Sequence, residues 1–271
     1  MPENISVCII AGNEERNIRR CLESAKWADE IVVLDSFSKD RTVEICREYT
    51  DRVYQHEWIG YIGQKNLIKD MAKGPWIFFL DADEEISPEL RDTIKEEFSN
   101  GNASDYAGYE FPRLVWYLGR WIYHGDWYPD TKLRLFRKNQ GECGGQEPHD
   151  KIIVDGRVKF LKSPLFHYTY DDITNQLATI NKFSSISAEG KHRSRRKVRM
   201  ADLTLRPFLR FLRCYIIKRG FLDGIPGLII ATFTAFSVFS KYAKLWEIHL
   251  TEAGKNNQPG HKTAQTENLP A

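Results

Sequence analysis

Two carboxylates one residue apart, Asp81 and Asp83, directly follow the apolar run at residues 76–80. A run of this kind is typical of a strand buried on both faces, and ligands of open α/β sheets collect where such strands end. At a strand terminus the pleat relaxes, so both side chains can turn toward one bound cation. Because Mg2+ and Mn2+ commonly combine one or two protein carboxylates with substrate phosphates, the pair predicts a site for a phosphate-bearing metal. The alternative is a solvated turn before a helix.

The composition limits the class of protein. The apolar (42%) and charged (28%) fractions of the 271 residues are those of a globular protein, and a net charge of +2 does not indicate a nucleic-acid partner. The five cysteines are scattered, odd in number and without C-x-x-C spacing, which disfavours a zinc site or a disulfide framework. They fit a reducing compartment. Because the N-terminal residues lack the pattern of a secretory signal, we expect a cytoplasmic protein.

Strands and helices alternate along the first part of the chain. Apolar runs predict four strands, at residues 5–11, 31–35, 53–56 and 76–80, with helices between and after them. This alternation predicts a parallel, doubly wound sheet whose functional edge is formed by the carboxyl ends of the strands. From Tyr106 onward the segments become short and aromatic with Gly and Pro punctuation, which is typical of antiparallel strands and loops.

The C-terminal part of the chain is basic and amphipathic. Residues 191–199 are a dense basic run, and apolar and basic side chains are interleaved through residues 206–219. Residues 225–239 carry no charge, but this stretch is shorter than the run of about 20 apolar residues that crosses a bilayer. We expect the region to lie on, or dip into, an anionic membrane surface, with packing on the catalytic domain or on a second subunit as the alternative. The polar tail at residues 253–271 is expected to be disordered.

Four short motifs occur in an informative order: Ala11-Gly12-Asn13-Glu14-Glu15, Asp35-Ser36-Phe37-Ser38-Lys39-Asp40-Arg41-Thr42, Gln64-Lys65-Asn66 and Leu80-Asp81-Ala82-Asp83-Glu84. Together they resemble family-2 glycosyltransferases of the GT-A fold, and their order and spacing carry the specificity because each motif alone is weak. Residues 130–137, 146–151, 167–170 and 219–224 are similar to the bacterial lipopolysaccharide core β-1,4-glucosyltransferase group. The resemblance covers roughly residues 5–250.

The resemblance implies a fold and a division of the chain. The fold is α/β, a Rossmann-like GT-A fold with a mixed central sheet and C-terminal amphipathic helices. Residues 1–105 form the half that binds the nucleotide-sugar donor, and residues 106–170 form the acceptor-binding and catalytic half of the same domain. Residues 171–252 form a helical region that could associate with a membrane, followed by the tail at residues 253–271.

The resemblance also implies residues that bind the donor. Ala11 and Glu14 match the first-strand loop that holds the nucleotide, and Asp35 matches the acid that contacts its base. Either acid could instead cap a helix or stabilise a turn. Lys65 matches a basic residue near the diphosphate, with a solvated helix lysine as the alternative.

A metal site and a base follow from the same resemblance. Asp83 and Asp81 match the metal-binding D-x-D pair, and His167 matches a position that supplies a further metal ligand in some GT-A enzymes; a structural histidine is the alternative.

The base that takes the acceptor proton should be a carboxylate. Asp150 stands where relatives commonly have Glu, which leaves the identity of the base open, and Glu147 is the second candidate. The alternative is a polar hairpin in which Asp150 pairs with Lys151 or Arg157.

Other side chains have open roles on the acceptor side. Arg134 and Arg137 could hold an anionic acceptor, such as a phosphorylated core sugar, or could be structural. A cluster of aromatic residues could stack on an acceptor, although packing is the favoured interpretation; it comprises Trp116, Trp121, Tyr123, Trp127 and Tyr128.

The resemblance therefore implies a Mn2+- or Mg2+-dependent, inverting hexosyltransferase. It would move glucose or another hexose from a nucleotide-diphosphate donor, with UDP favoured, to a cell-envelope glycan or glycolipid such as lipopolysaccharide core. We expect a cytoplasmic enzyme, peripheral on the inner face of the cytoplasmic membrane, with no nucleic-acid partner. A homo-oligomer formed through the C-terminal helices is an alternative use of that region. Two other functions stay open, a sugar nucleotidyltransferase and a catalytically inactive scaffold.

Overall fold

The computed structural model describes residues 4–146, 149–170 and 172–255. The described residues fall into two compact units, one within residues 1–171 and the other within residues 172–271.

The first unit contains all the described strands and four α-helices. The strands are β1 (Ile5–Ala11), β2 (Glu30–Asp35), β3 (Val53–Gln55), β4 (Trp76–Asp81), β5 (Glu84–Ile86), β6 (Gly108–Tyr117), β7 (Arg120–Ile122), β8 (Asp130–Arg137), β9 (Gly141–Gln146), β10 (His149–Val154), β11 (Val158–Phe160) and β12 (Leu165–His167). The helices are α1 (Ile18–Ala25), α2 (Thr42–Arg47), α3 (Tyr61–Met71) and α4 (Pro88–Ser99). The four strands predicted from apolar runs are confirmed to within a residue at each end.

The main sheet is mixed, as predicted. Its order is β3-β2-β1-β4-β8-β6-β12-β5, and β7 and β11 also pair with β6. Strands β3, β2, β1 and β4 are parallel, whereas β8 runs antiparallel to both β4 and β6. Strands β9 and β10 form a separate antiparallel hairpin. The change from parallel to antiparallel pairing follows the change of sequence pattern at Tyr106.

Burial on both faces explains why β4 is apolar at every position before Asp81. Trp76, Phe78 and Leu80 pack in the cluster that contains α1, whereas Ile77 and Phe79 pack in the cluster that contains Ile68 of α3. Alternate side chains of a strand point to opposite faces, so a strand covered by helices on both sides has no polar face.

The parallel strands end together. Ala11 of β1 is opposite Asp35 of β2, and Ile10 is opposite Asp81 of β4. The loops after β1, β2 and β4 therefore lie at one edge of the sheet, which is where the sequence predicted the functional site.

Two short strands complete that edge. β5 was not predicted, because three residues that include Glu84 and Glu85 show no apolar pattern. It is stabilised by pairing with β12, in which His167 is opposite Glu84. β12 begins directly after Pro164, which has no backbone N–H to donate to the ladder.

The second unit is helical. It contains α5 (Ile173–Arg193), α6 (Met200–Leu203), α7 (Leu205–Leu212), a π-helical turn (Arg213–Ile217), a 3-10 turn (Gly220–Asp223) and α8 (Gly224–Lys255). Its small core is formed by Ala188 of α5 with Tyr242 and Leu245 of α8. The amphipathic segment expected at residues 206–219 is helical through Ile217, with a π-helical last turn, and the helix ends before Arg219. Arg219 has a positive φ of 56°, and a Cβ at Gly227 would collide with the carbonyl oxygen of Gly220.

α8 is longer than the uncharged stretch suggested. By length and composition alone, Gly220–Glu252 could cross a membrane, and 22% of its most apolar window is buried. Core helices of soluble proteins pass the same test, so this is weak evidence. The uncharged stretch at residues 225–239 is part of a longer helix, which continues through charged residues beyond residue 239. The helix also continues through Lys255, and the rest of the expected tail lies outside the described residues.

Candidate active site

A cavity of about 390 Å3 opens at the carboxyl edge of the sheet. Five predicted site residues line it: Ala11, Glu14, Asp81, Asp83 and His167. They come from the loops after β1 and β4 and from the end of β12, so the strand register explains why residues far apart in sequence meet here. The volume is that of an ordinary ligand pocket.

Asp83 and His167 face each other in this cavity. The Oδ2 atom of Asp83 lies 3.1 Å from Nε2 of His167, and the hydroxyl of Thr169 lies 2.8 Å from the same ring. The backbone N–H of Tyr168 donates to the carbonyl of Asp83 at 2.9 Å. This contact fixes the turn between β4 and β5 against the end of β12, so the two side chains are held together by backbone as well as by their own contact.

The pair fits a divalent cation. An oxygen and an imidazole nitrogen are suitable ligands for Mn2+. The two atoms are now within hydrogen-bond distance at 3.1 Å, and a cation held by both would replace that contact. Among the described residues no group of three or more His, Cys, Asp and Glu side chains converges on such a point, so the remaining ligands would be substrate or water oxygens.

Asp81 lies among positive charges. Its Oδ2 atom accepts a hydrogen bond from Arg134, and its Oδ1 atom lies 3.5 Å from the Lys65 ammonium. Burial opposes ionisation of this carboxyl, but the charges of Arg134, Lys65 and Arg113 outweigh it and hold its pKa well below the ordinary range. Asp81 is therefore an anion at every physiological pH.

A buried charge network supports Asp81. Glu84 is fully buried, accepts from the backbone N–H of Asp81 at 3.0 Å, and pairs with Arg134 at 2.8 Å and Arg113 at 3.0 Å. Arg113 also binds Asp130. The sequence analysis did not assign a role to Glu84 or Arg113. Glu84 directly follows the D-x-D turn, whereas Arg113 lies 29 residues later on β6, so the pairing that joins them was not predictable from the sequence.

A second cavity, of about 530 Å3, lies on the other side of Asp81. Asp150 and Lys65 line it, and the Lys65 ammonium donates to Oδ2 of Asp150 at 2.8 Å. Lys65 is only 4% exposed, so the alternative of a solvated helix lysine is wrong. Asp150 pairs with Lys65 rather than with Lys151 or Arg157. Glu147, the second candidate base, lies outside the described residues.

Asp35 is placed differently. It is fully buried at the end of β2, where it accepts from the backbone N–H of Ser38 at 2.9 Å and from the side chain of Gln55 at 3.0 Å. These are the contacts of a turn-stabilising acid, and Asp35 does not line either cavity. Glu14 lines the first cavity and also accepts from the Asn17 side chain at 3.1 Å. Contact of either acid with a nucleotide stays a prediction.

Two aromatic residues at the first cavity were not predicted. Trp58 and Tyr61 line it, remain partly exposed, and meet edge to face with ring centroids 4.8 Å apart. The aromatic residues that were singled out from the sequence pack mainly on one another or on neighbouring rings, as in the stacked pair of Trp121 and Phe166 at 4.3 Å. Arg137 donates to the carbonyls of Tyr106 and Ala103 and is structural.

Known proteins agree with the predicted family. The family model described as Glycosyl transferase family 2 matches residues 6–153. The lipopolysaccharide core biosynthesis glycosyltransferase LpsC of Rhizobium meliloti is 30% identical over 260 residues, which cover 93% of this chain and 95% of that protein. An uncharacterised glycosyltransferase of Rickettsia typhi is 30% identical over 264 residues, covering 92% of this chain and 88% of that protein.

Solved structures give a more distant likeness. The crystal structure of Staphylococcus aureus TarS 1–349 in complex with UDP-GlcNAc superposes with a TM-score of 0.47 and 14% identity, covering 93% of this chain and 92% of that chain. The family match and the observed mixed sheet confirm the predicted GT-A α/β fold. The chain is a glycosyltransferase, and it belongs to glycosyl transferase family 2.

Proposed function

We propose that the chain is a metal-dependent, inverting hexosyltransferase that uses a nucleotide-diphosphate sugar. One observation carries the proposal: the two cavities share Asp81 and Tyr61. The first contains the metal-type pair of Asp83 and His167, and the second contains the carboxylate of Asp150. A donor in the first cavity and an acceptor in the second would meet at Asp81.

The proposed reaction is a single displacement. The Asp150 carboxylate takes the proton of an acceptor hydroxyl as the hydroxyl oxygen attacks the anomeric carbon of the donor. The bond from that carbon to the diphosphate oxygen breaks, and its electron pair stays on the diphosphate. Because the entering and leaving oxygens lie on opposite faces of the sugar, the anomeric configuration inverts.

The surrounding charges suit this displacement. Lys65 holds Asp150 in position and places an ammonium 3.5 Å from Asp81, which lines both cavities, and this positive charge would offset the negative charge that develops on the departing diphosphate. A divalent cation bound by Asp83 and His167 would supply further neutralisation of that charge. Asp81, shared by both cavities, would contact the donor and complete the metal environment through its exposed edge.

Different observations support the donor class and the acceptor class. Trp58 and Tyr61 offer aromatic surfaces on which a nucleotide base can stack, and a uracil nucleotide is the first choice to test. The similarity to LpsC, named for lipopolysaccharide core biosynthesis, supports a core oligosaccharide as acceptor and glucose or another hexose as the sugar. The competing functions are a sugar nucleotidyltransferase and an inactive scaffold, and a panel of nucleotide sugars distinguishes them.

We also propose that the enzyme is cytoplasmic and peripheral on the inner membrane. Between Asp202 and Asp223 the sequence has five basic residues and no acidic one. Large apolar side chains in and just after this segment are exposed, including Phe208 at 58%, Ile217 at 75% and Ile225 at 74%. Exposed apolar groups mixed with basic ones suit an anionic lipid surface. A second copy of the chain is the alternative occupant, which light scattering would detect as a stable dimer without lipid.

The test is a panel of nucleotide sugars with Mn2+ present or removed by EDTA. One donor should raise the melting temperature only with Mn2+ and should be transferred to core oligosaccharide. Asp83→Asn and His167→Gln should each raise the Mn2+ concentration for half-maximal donor binding at least tenfold, while Asp155→Asn, a change to an exposed acid, should not. Mn2+-independent binding in the wild type would contradict the metal role. Binding of nucleoside triphosphate with release of pyrophosphate would favour the nucleotidyltransferase, and no turnover of any donor would favour the scaffold.

A further inference from the structure

Basic side chains outnumber acidic ones in the lining of the second cavity. Five basic residues and two acidic ones line it; the basic ones are Lys65, Arg113, Lys132, Arg134 and Lys151. Because Asp150 lines this cavity and not the first one, the acceptor hydroxyl must come here if Asp150 is the base. The charge of the cavity therefore bears on the chemistry of the acceptor.

Three of the five cations are already neutralised by buried or half-buried acids. Lys65 is held by Asp150 and Asp81. Arg134 is held by Asp81 and Glu84, and Arg113 by Glu84 and Asp130. These three side chains hold the site together. Because Arg134 is paired with two acids, its contacts favour the structural role over the binding of an anionic acceptor.

Lys132 is different. Its ammonium lies 3.0 Å from Oδ1 of Asp130, but Asp130 is already paired with Arg113 at 2.5 Å. Its side chain is 41% exposed. Lys132 lies two residues after Asp130 on β8, and it lines the second cavity together with Arg134 and Asp150. Its acidic partner is therefore shared with Arg113, and its side chain is accessible from the cavity.

Lys151 adds to the same excess. It is exposed on β10 beside Asp150, and within the described residues it makes no ion pair. We propose that this cavity is a subsite for an acidic acceptor, with Lys132 binding a phosphate or carboxylate close to the hydroxyl that is glycosylated. Lys151 contributes a second positive charge at the cavity. This inference rests on the proposed function, and it narrows the acceptor to sugars that carry an acidic group.

The experiment uses core oligosaccharide released from lipid A in three forms: untreated, dephosphorylated with hydrogen fluoride, and carboxyl-reduced. The KM of each form is measured with the full-length enzyme and saturating donor, and its Kd is measured without donor by calorimetry. We expect the enzyme to recognise one acidic group of the oligosaccharide. The treatment that removes this group should raise the KM and the Kd of the oligosaccharide about tenfold, as expected for a lost hydrogen bond to a charged group. The treatment that does so tells phosphate from carboxylate.

Variants then connect that preference to Lys132. Lys132→Ala should raise the KM and Kd of the untreated oligosaccharide about tenfold and have no further effect on the treated form. Lys132→Arg should restore most of the affinity, and Lys73→Ala, a change to an exposed lysine in the turn before β4, should have no effect. The Kd of the donor and the melting temperature should be unchanged in all three, since Asp130 retains Arg113.

Two results would overturn the subsite. If the wild type binds all three oligosaccharides equally, the acceptor needs no acidic group. If Lys132→Ala loses affinity for the donor, the basic cavity binds the donor and not the acceptor. The proposed function fails differently, by an absence of donor binding and transfer. In that case the calorimetric comparison of acidic and neutral oligosaccharides still decides the subsite.

Discussion

At the scale of single residues, the site combines groups that the sequence identified with groups that it did not. Asp81, Asp83, Lys65, Asp150 and His167 were predicted from their motifs, and the structure brings them to two adjoining cavities. Their partners were not predicted. Glu84 and the two arginines that pair with it become visible only when β8, β6 and β5 are placed in one sheet, because ion pairs between distant strands leave no local pattern.

The buried charge network predicts how stability depends on pH. The pKa of Asp81 is depressed in the folded chain, whereas in the unfolded chain it should lie near the ordinary value of about 3.9. Its contribution to stability is therefore complete above about pH 5 and is lost progressively as the pH falls below about 4. Asp81→Asn should lower the free energy of unfolding at pH 7 by about 2 kcal/mol, less than for a fully buried pair because part of the side chain is exposed.

Urea unfolding of both proteins from pH 7 to pH 3 measures this effect. The difference between wild type and Asp81→Asn should be constant from pH 7 to pH 5 and shrink toward pH 3. Asp155→Asn, which changes an exposed acid, should match the wild type throughout. A difference that stays the same at pH 3, or none at pH 7, would refute the depressed pKa.

At the scale of elements, the pattern of apolar and polar residues predicted the helices and strands that are long enough to show it. β1, β2 and β4 were found because both faces are buried and the whole run is apolar. β5 was missed because three residues are too few to show a period, and its stability comes from pairing with β12. The π-helical turn that follows α7 was not predicted, because it preserves the amphipathic composition of the segment.

The exposed side chains of α7 and the π-helical turn predict a membrane contact. The double change Phe208→Ser and Ile217→Ser should reduce binding to anionic liposomes at least tenfold, because each side chain contributes about 1.5–3 kcal/mol when buried in an apolar phase. Leu177→Ser, at an exposed position on α5, is the matched control. Flotation measures the bound fraction.

The salt dependence of liposome binding tests the electrostatic contribution to the membrane contact. Binding should weaken between 0.05 and 0.5 M salt, an interval of roughly tenfold over which charges near a surface become screened. Retention of the wild-type chain in the soluble fraction at low salt, with liposomes rich in anionic lipid, would refute membrane attachment.

At the scale of the whole molecule, the chain combines a catalytic unit with a helical unit. The family model ends at residue 153, inside the first unit, whereas the similarity to LpsC covers 93% of the chain. The second unit is therefore shared with that relative. The family could be predicted from the sequence because the order of the motifs extends along the entire catalytic unit. The basic cavity could not be predicted, because its residues come from α3, β4, β6, β8 and β10.

The central claim is that Asp150 is the base of an inverting transfer, and the most direct test is the rate of sugar transfer to core oligosaccharide by wild type and Asp150→Asn with Mn2+ present. The account predicts that the variant binds the donor with an unchanged Kd and loses at least about a hundredfold in kcat, as expected for loss of a general base. Asp155→Asn should keep the wild-type rate, and the wild-type product should have the inverted anomeric configuration. A wild-type rate in Asp150→Asn, or a product that retains the configuration of the donor, would contradict the account.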